Sequence, residues 1–396
     1  MNNPGLIKLD LFCKGIKIDS SCNLEIDARQ ILRCRGGLGS GLEIILPDNL
    51  YVNVPVEEHF VRKSPYTLYK QGQEYLIRKK SETVCQVILP ACPKFYHQKT
   101  SSGKLMSRIG VMQGTYLGIY PTKICSFWEM KPSMNCHFCS VGLNVGHNEE
   151  LVKSVSDVIE TVKAARAEEK ITFVHFNTGF FGGVELDELE PYILAVKKET
   201  GLLVGVQTPP NPDLKKYDYL KRIGVDHLSF CIELFNYEKF EQLCPGKSRY
   251  IGQDKFLETI KYCSKLFGKG RVAGEIIAGL EPVEDSIKAI EHFASIGAVT
   301  TVCVFRPCLG TKLEREQPPD SEEIIPIFKA MYEECIRNSI PIGIAPNINV
   351  SLVLLPEEGR YFTDTRANAL YLIKLLFMKV VFRIYFRLKQ LLKRQF

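Results

Sequence analysis

Three cysteines carry the densest chemistry in this chain. In ICSFWEMKPSMNCHFCSVG, Cys125, Cys136 and Cys139 are spaced C-x10-C-x2-C. Thiolates bind iron–sulfur clusters and zinc. Three are one short of the four that close a tetrahedral zinc site. A [4Fe–4S] cluster usually takes four cysteines, so three leave one iron open to an outside ligand. The alternative is a zinc site of the same cysteines with His137 or His147, on a non-catalytic barrel scaffold. His137 is badly placed for it, lying between two ligands. Further along, polar residues punctuate apolar runs: Asn177, Thr178 and Gly179 in NTGFFGG, Gln207 and Thr208 in VQTPP, Glu233 after LSFCI, and Arg306 in FRPCLG. A carboxylate ending an apolar strand needs a cation, hydroxyls or a catalytic task. A guanidinium suits bidentate recognition of a carboxylate.

These residues need a scaffold that brings strand ends together. From about 113, apolar runs of strand length alternate with helical stretches. Strands are expected at 114–122, 171–179, 202–210, 225–233, 271–281 and 298–307. Helices are expected at 148–168, 186–200, 212–222, 237–243, 252–267, 283–296 and 320–338. Six β-α units in series predict a parallel sheet covered by helices, an α/β partial (β/α)6 TIM-like barrel over 113–350 with its chemistry at the carboxyl ends of the strands. A last apolar run, IPIGIAPNINV, covers 340–350. Residues 1–112 read as a small β-rich region, with LIKLDLF, LEIILP, YVNVPVE, EYLIRKK and TVCQVILP as strands. Residues 351–396 form an extension ending in an amphipathic helix.

At these positions the sequence resembles the radical S-adenosylmethionine (radical SAM) superfamily, over about 115–310, with a core most like the biotin synthase and lipoyl synthase branch. That family places three cysteines after strand one, with an aromatic residue before the last. Here these are Cys125, Cys136 and Cys139, with Phe138. The resemblance implies a [4Fe–4S] cluster on the three cysteines, whose open iron chelates S-adenosylmethionine. Reductive cleavage then gives a 5′-deoxyadenosyl radical that abstracts hydrogen from an aliphatic substrate. Asn177, Thr178 and Gly179 match the family's Gly-Gly-Glu turn, without its acid. Glu233 matches the strand-four residue that binds S-adenosylmethionine. Gln207 would face the cavity, Ile277 would pack on adenine and Glu281 would close a turn. Arg306 would reach the S-adenosylmethionine carboxylate, with an ion pair to Glu233 or Glu281 as its alternative. Two departures stand out. The common spacing is C-x3-C-x2-C, and Cys244 of CPGK stands where lipoyl synthase has arginine. The implied reaction is C–H functionalisation, sulfur insertion being one form. Methyl transfer or carbon rearrangement on a lipid-linked substrate is the alternative. A reductase such as flavodoxin or ferredoxin is implied as partner.

Composition narrows the setting. Of 396 residues, 45% are hydrophobic and 24% charged, which argues against a disordered or polytopic membrane protein. There are 14 cysteines. The start, MNNPGLIKLDLF, lacks the apolar stretch of a signal peptide. A cytoplasmic enzyme is therefore expected, with cysteines serving as ligands or buried thiols rather than disulfides. The net charge of +6 is unevenly placed. Eight of the 51 Lys and Arg residues fall in Arg366–Phe396, which has no acid. The remainder holds 43 basic against 45 acidic residues. No nucleic-acid partner is expected. In the tail, Lys379, Arg383, Arg387 and Arg394 share one helical face, which suits an interfacial helix on anionic lipid. A helix packed on the barrel, or an oligomer contact, is the alternative.

Overall fold

A computed structural model describes residues 3–29, 31, 33, 34 and 39–393. Its centre is a seven-stranded sheet: β1 (Gly110–Gln113), β2 (Tyr116–Ile119), β3 (Phe173–Asn177), β4 (Leu203–Gln207), β5 (His227–Glu233), β6 (Val272–Ala278) and β7 (Val299–Val304). Strands β2 to β7 are parallel and adjacent in chain order, and β1 pairs antiparallel with β2. The parallel strands are apolar almost throughout because helices cover their outer faces. Val174, Val204, Leu228 and Ile276 are completely buried. Consecutive parallel neighbours joined by helices give the expected open (β/α)6 half-barrel. In place of a further strand, 349–355 runs beside the sheet: Leu354 bridges Val302 of β7, and Asn53 N donates to Ser351 O at 2.7 Å.

Several expectations are corrected. LIKLDLF is a helix, Pro4–Lys14, not a strand. The Asn3 side chain accepts from Gly5 N and Leu6 N, and Pro4 opens the first turn, a combination that favours helix. Strand β1 straddles the 112/113 boundary, so the sheet begins earlier than expected. The β1–β2 turn depends on Gly114, at φ +72, where a Cβ would stand 2.0 Å from Asn349 O. The apolar run 340–350 forms no regular strand. The other expected strands of 1–112 are present: a hairpin of Leu42–Leu46 and Leu50–Val54, and Glu74–Lys79 paired with Glu82–Val87; Tyr66–Gln71 joins their small sheet as a strand outside the expected set. The C-terminal helix spans Ala369–Lys393, and Arg394 of its basic face lies outside the described residues.

Candidate functional site

Cys125 follows β2 and caps a single helical turn, Ser126–Glu129. Cys136 and Cys139 follow on the same loop. Cys139 feels both Cys136 and Cys125 electrostatically, so the three thiols are neighbours. They are not packed together, however. Among the described residues, the one set of three His, Cys, Asp or Glu ligand atoms within 4.8 Å of one another is Cys231, Glu233 and Glu275. Thiolates on a tetrahedral zinc would stand about 3.8 Å apart, from a Zn–S bond of about 2.3 Å. The three sulfurs are not all within 4.8 Å of one another. Backbone amides already point at the sulfurs: Phe180 N donates to Cys125 Sγ at 3.4 Å and Val141 N to Cys139 Sγ at 3.5 Å. Such N–H···S contacts tune iron–sulfur clusters. Three thiols with amide donors fit a [4Fe–4S] cluster.

The turn after β3 is pressed against this loop. A Cβ at Gly179 would lie 2.4 Å from Cys125 Cβ, so only glycine allows the approach. Phe180 stacks on Phe127, with centroids 4.5 Å apart, and Phe138 is buried. Thr178 N donates to Gln207 O at 3.0 Å, and Thr178 Oγ1 donates to Gly179 O. Asn177 Nδ2 donates to Gln207 Oε1 at 2.7 Å. Its Oδ1 is buried with no hydrogen-bond partner, an acceptor left for a donor such as an amine.

Glu233 ends β5 in a strained conformation, φ +72, beside a bulge. Strain of this kind collects at functional sites. Its carboxylate pairs with Lys247 Nζ at 2.7 Å, and Lys247 also donates to Cys231 O at 2.6 Å. Burial alone would depress Lys247. Glu233, Cys136 and Cys244 outweigh it and hold the ammonium well above its ordinary value. Cys244, fully buried, hydrogen-bonds Cys136. That bond holds the Cys136 thiol below its usual range against its own burial, and Lys247 acts in the same direction. Burial pushes the Cys125 thiol up to about 11. The positive charge in CPGK thus comes from Lys247, not from position 244.

Deeper in the barrel, Glu275 of β6 was not anticipated. It sits mid-strand, where an apolar residue is the rule. Gln207 Nε2 donates to Glu275 Oε1 at 2.9 Å and contacts Cys231 Sγ at 2.7 Å, while Cys231 and Thr301 also bond the carboxyl group. Burial, aided by Glu233, raises Glu275 to about 7. Ile277 is buried and Glu281 closes the turn by accepting from Phe235 N and Asn236 N. Arg306 does otherwise than expected. Its guanidinium donates to Asn53 O at 2.6 Å and Asn53 Oδ1 at 3.2 Å, with Glu58 at 3.9 Å. It clamps the end of β7 to the amino-terminal hairpin through Asn53.

Below this polar layer lies a cavity of about 610 Å³, bounded by Asn177, Gln207 and Glu275 at one end. Its walls include Phe173, 341–345 and 348–357 in part, and five residues of the C-terminal helix. The size is that of a small-molecule site.

A family model described as the radical SAM superfamily matches residues 132–294. It takes in Cys136 and Cys139 and begins after Cys125. The bacteriochlorophyllide c C-7(1)-hydroxylase of Chlorobaculum limnaeum is 29% identical over 117 residues, 29% of each chain. Among solved structures, methylornithine synthase matches at 18% identity and TM-score 0.45, over 55% of this chain and 62% of that one. A maturase of the [FeFe]-hydrogenase matches at 16% and 0.44, over 56% and 49%. A radical SAM methyltransferase from Sphaerobacter thermophilus matches at 13% and 0.42, over 68% and 75%. The chain thus spans less than two thirds of the curated relative and of the first two structures.

Proposed function

This chain belongs to the radical S-adenosylmethionine superfamily, and from that premise we propose that it functionalises a C–H bond of an apolar substrate held in the barrel cavity. The carrying observation is the cavity itself, which reaches Gln207, Glu275 and Asn177, the last of them two residues before the glycine that abuts Cys125. Its cofactors are a [4Fe–4S] cluster and S-adenosylmethionine. When bound, they supply the electron and the 5′-deoxyadenosyl radical. Cys125, Cys136 and Cys139 would hold the cluster. Asn177 Oδ1, buried without a partner, would accept from the S-adenosylmethionine amine, Thr178 and Gly179 would line its turn, and Phe138 and Ile277 would supply apolar contact. The Glu233–Lys247 pair borders the same space. Arg306 is left out, since its donors are committed to Asn53.

Glu275 holds a proton near neutral pH and donates or accepts at the substrate's polar end. The cavity walls are mostly apolar, with Asp226, Lys269, Arg271 and Glu357 also lining them. The similar hydroxylase, by its name, acts on bacteriochlorophyllide c. Sulfur insertion is one form of this C–H functionalisation; of the alternatives, methyl transfer adds a methyl group's mass and carbon rearrangement adds none. The reductant is a one-electron donor of the flavodoxin or ferredoxin kind, in a cytoplasmic setting.

The test is anaerobic incubation of the reconstituted enzyme with S-adenosylmethionine, dithionite and either a total lipid extract or a polar metabolite extract. The expected result is 5′-deoxyadenosine together with a lipid-soluble species changed in mass. Consumption confined to the polar extract would contradict the proposal.

A further inference from the structure

The C-terminal helix turns apolar side chains outward. Its inner face packs on the barrel: Tyr371 and Phe386 are buried, Tyr371 OH donates to Ile340 O at 2.8 Å, and Gln390 Nε2 donates to Gly201 O at 2.8 Å. Its outer face is Ile373, Phe377, Val380, Ile384, Leu388 and Leu391, with Ile373 65% and Phe377 67% exposed. At about 100° per residue these six share a stripe roughly 80° wide. Arg383 and Arg387 border it on one side and Lys374 on the other. A contiguous apolar stripe in water marks a surface that is covered in use. No helix among the described residues is long and apolar enough to cross a membrane.

Charge decides the cover. The segment from Arg366 onward has no Asp or Glu. A second copy laid on the stripe would bring these cationic borders together. An anionic lipid surface complements both the apolar stripe and its basic borders. The stripe also runs into the cavity. Phe377, Val381 and Tyr385 are exposed and line it at the same time, so its mouth opens at this helix.

We propose that the C-terminal helix seats the chain on an anionic bilayer, and that the cavity takes an amphiphile from that bilayer through the mouth at Phe377, Val381 and Tyr385. The second half rests on the cavity being the substrate site, as proposed above.

The test uses full-length reconstituted protein. It should co-sediment with phosphatidylcholine vesicles containing about one third phosphatidylglycerol, and at least ~10-fold less with phosphatidylcholine alone. The double variant Ile373→Asp/Ile384→Asp should lose at least ~10-fold, and so should Arg383→Glu/Arg387→Glu. Both alter exposed positions, so far-ultraviolet circular dichroism and lipid-free S-adenosylmethionine cleavage should stay unchanged. The fluorescent fatty acid cis-parinaric acid should bind saturably in the cavity. Ile348→Trp, which fills the cavity, should weaken that binding while leaving vesicle binding intact. Vesicle binding unaffected by the aspartates, or absent in the unaltered chain, would overturn membrane seating. So would a dimer that the aspartates dissociate. Vesicle binding without fatty-acid uptake would overturn the entry route alone. Loss of S-adenosylmethionine cleavage in the unaltered chain would instead count against the enzymatic function.

Discussion

Around the cysteine loop, each charge is set by one or two neighbours. Lys247 and Glu233 form a buried pair, with side chains 12% and 11% exposed. Removing one partner strands the other. Lys247→Met should therefore cost the apo-protein about 3 kcal/mol or more, while Glu233→Gln/Lys247→Met should recover most of it. Urea unfolding of the two variants checks this. Glu275 gives a pH dependence. Its folded value, about 7, exceeds the ordinary 4.5. The unfolded chain therefore releases this proton first, and Glu275 makes stability fall as pH rises from about 4.5 through 7, by on the order of 3 kcal/mol. Glu275→Gln should flatten that fall, measured as unfolding free energy between pH 5 and 8. The cysteine loop was legible because residue type and place after a strand agree. Lys247 was not legible because the resembled motif carries its charge three residues earlier, at position 244. Glu275 gave no signal, because a mid-strand acid inside a barrel looks like an outward-facing one in sequence.

At the scale of elements, what matters is how closely turns approach the loop. Gly179→Ala forces a methyl group to 2.4 Å from Cys125 Cβ. The β3 turn must shift against Cys125's own backbone, so iron incorporation should drop several-fold and the apo-protein should lose about 1–3 kcal/mol. Iron analysis beside a melting curve of the apo-protein measures both. Gly114→Ala carries both a positive φ and a clash with Asn349 O, and should destabilise by about 2 kcal/mol or more. The six parallel strands and most helices were readable because apolar runs and helical periodicity alternate without ambiguity. The short run LIKLDLF was not, because a seven-residue apolar stretch fits either period and Asn3-Pro4, which starts the helix, precedes it. The antiparallel β1 was not legible because it opens on Gly110 and has no helix after it to mark a β-α unit.

Across the whole molecule, distant segments converge on one barrel. Lys8, fully buried, pairs with Glu358 at 2.7 Å and donates to Val350 O, tying the first helix to the segment that walls the cavity. That pairing, and the place of 340–350 in the wall, could not be read from local patterns, since nothing in them tells which sheet edge they meet. The basic tail was readable as amphipathic. Which face points outward depends on packing with Tyr371, Phe386 and Gln390. The central claim is that Cys125, Cys136 and Cys139 hold a site-differentiated [4Fe–4S] cluster that cleaves S-adenosylmethionine. Anaerobic reconstitution followed by iron analysis and a dithionite-driven 5′-deoxyadenosine assay tests it most directly. The expected result is about four irons per chain and 5′-deoxyadenosine, both lost in Cys136→Ala. A colourless zinc protein, or a Cys136→Ala variant that keeps its iron and its cleavage activity, would contradict it.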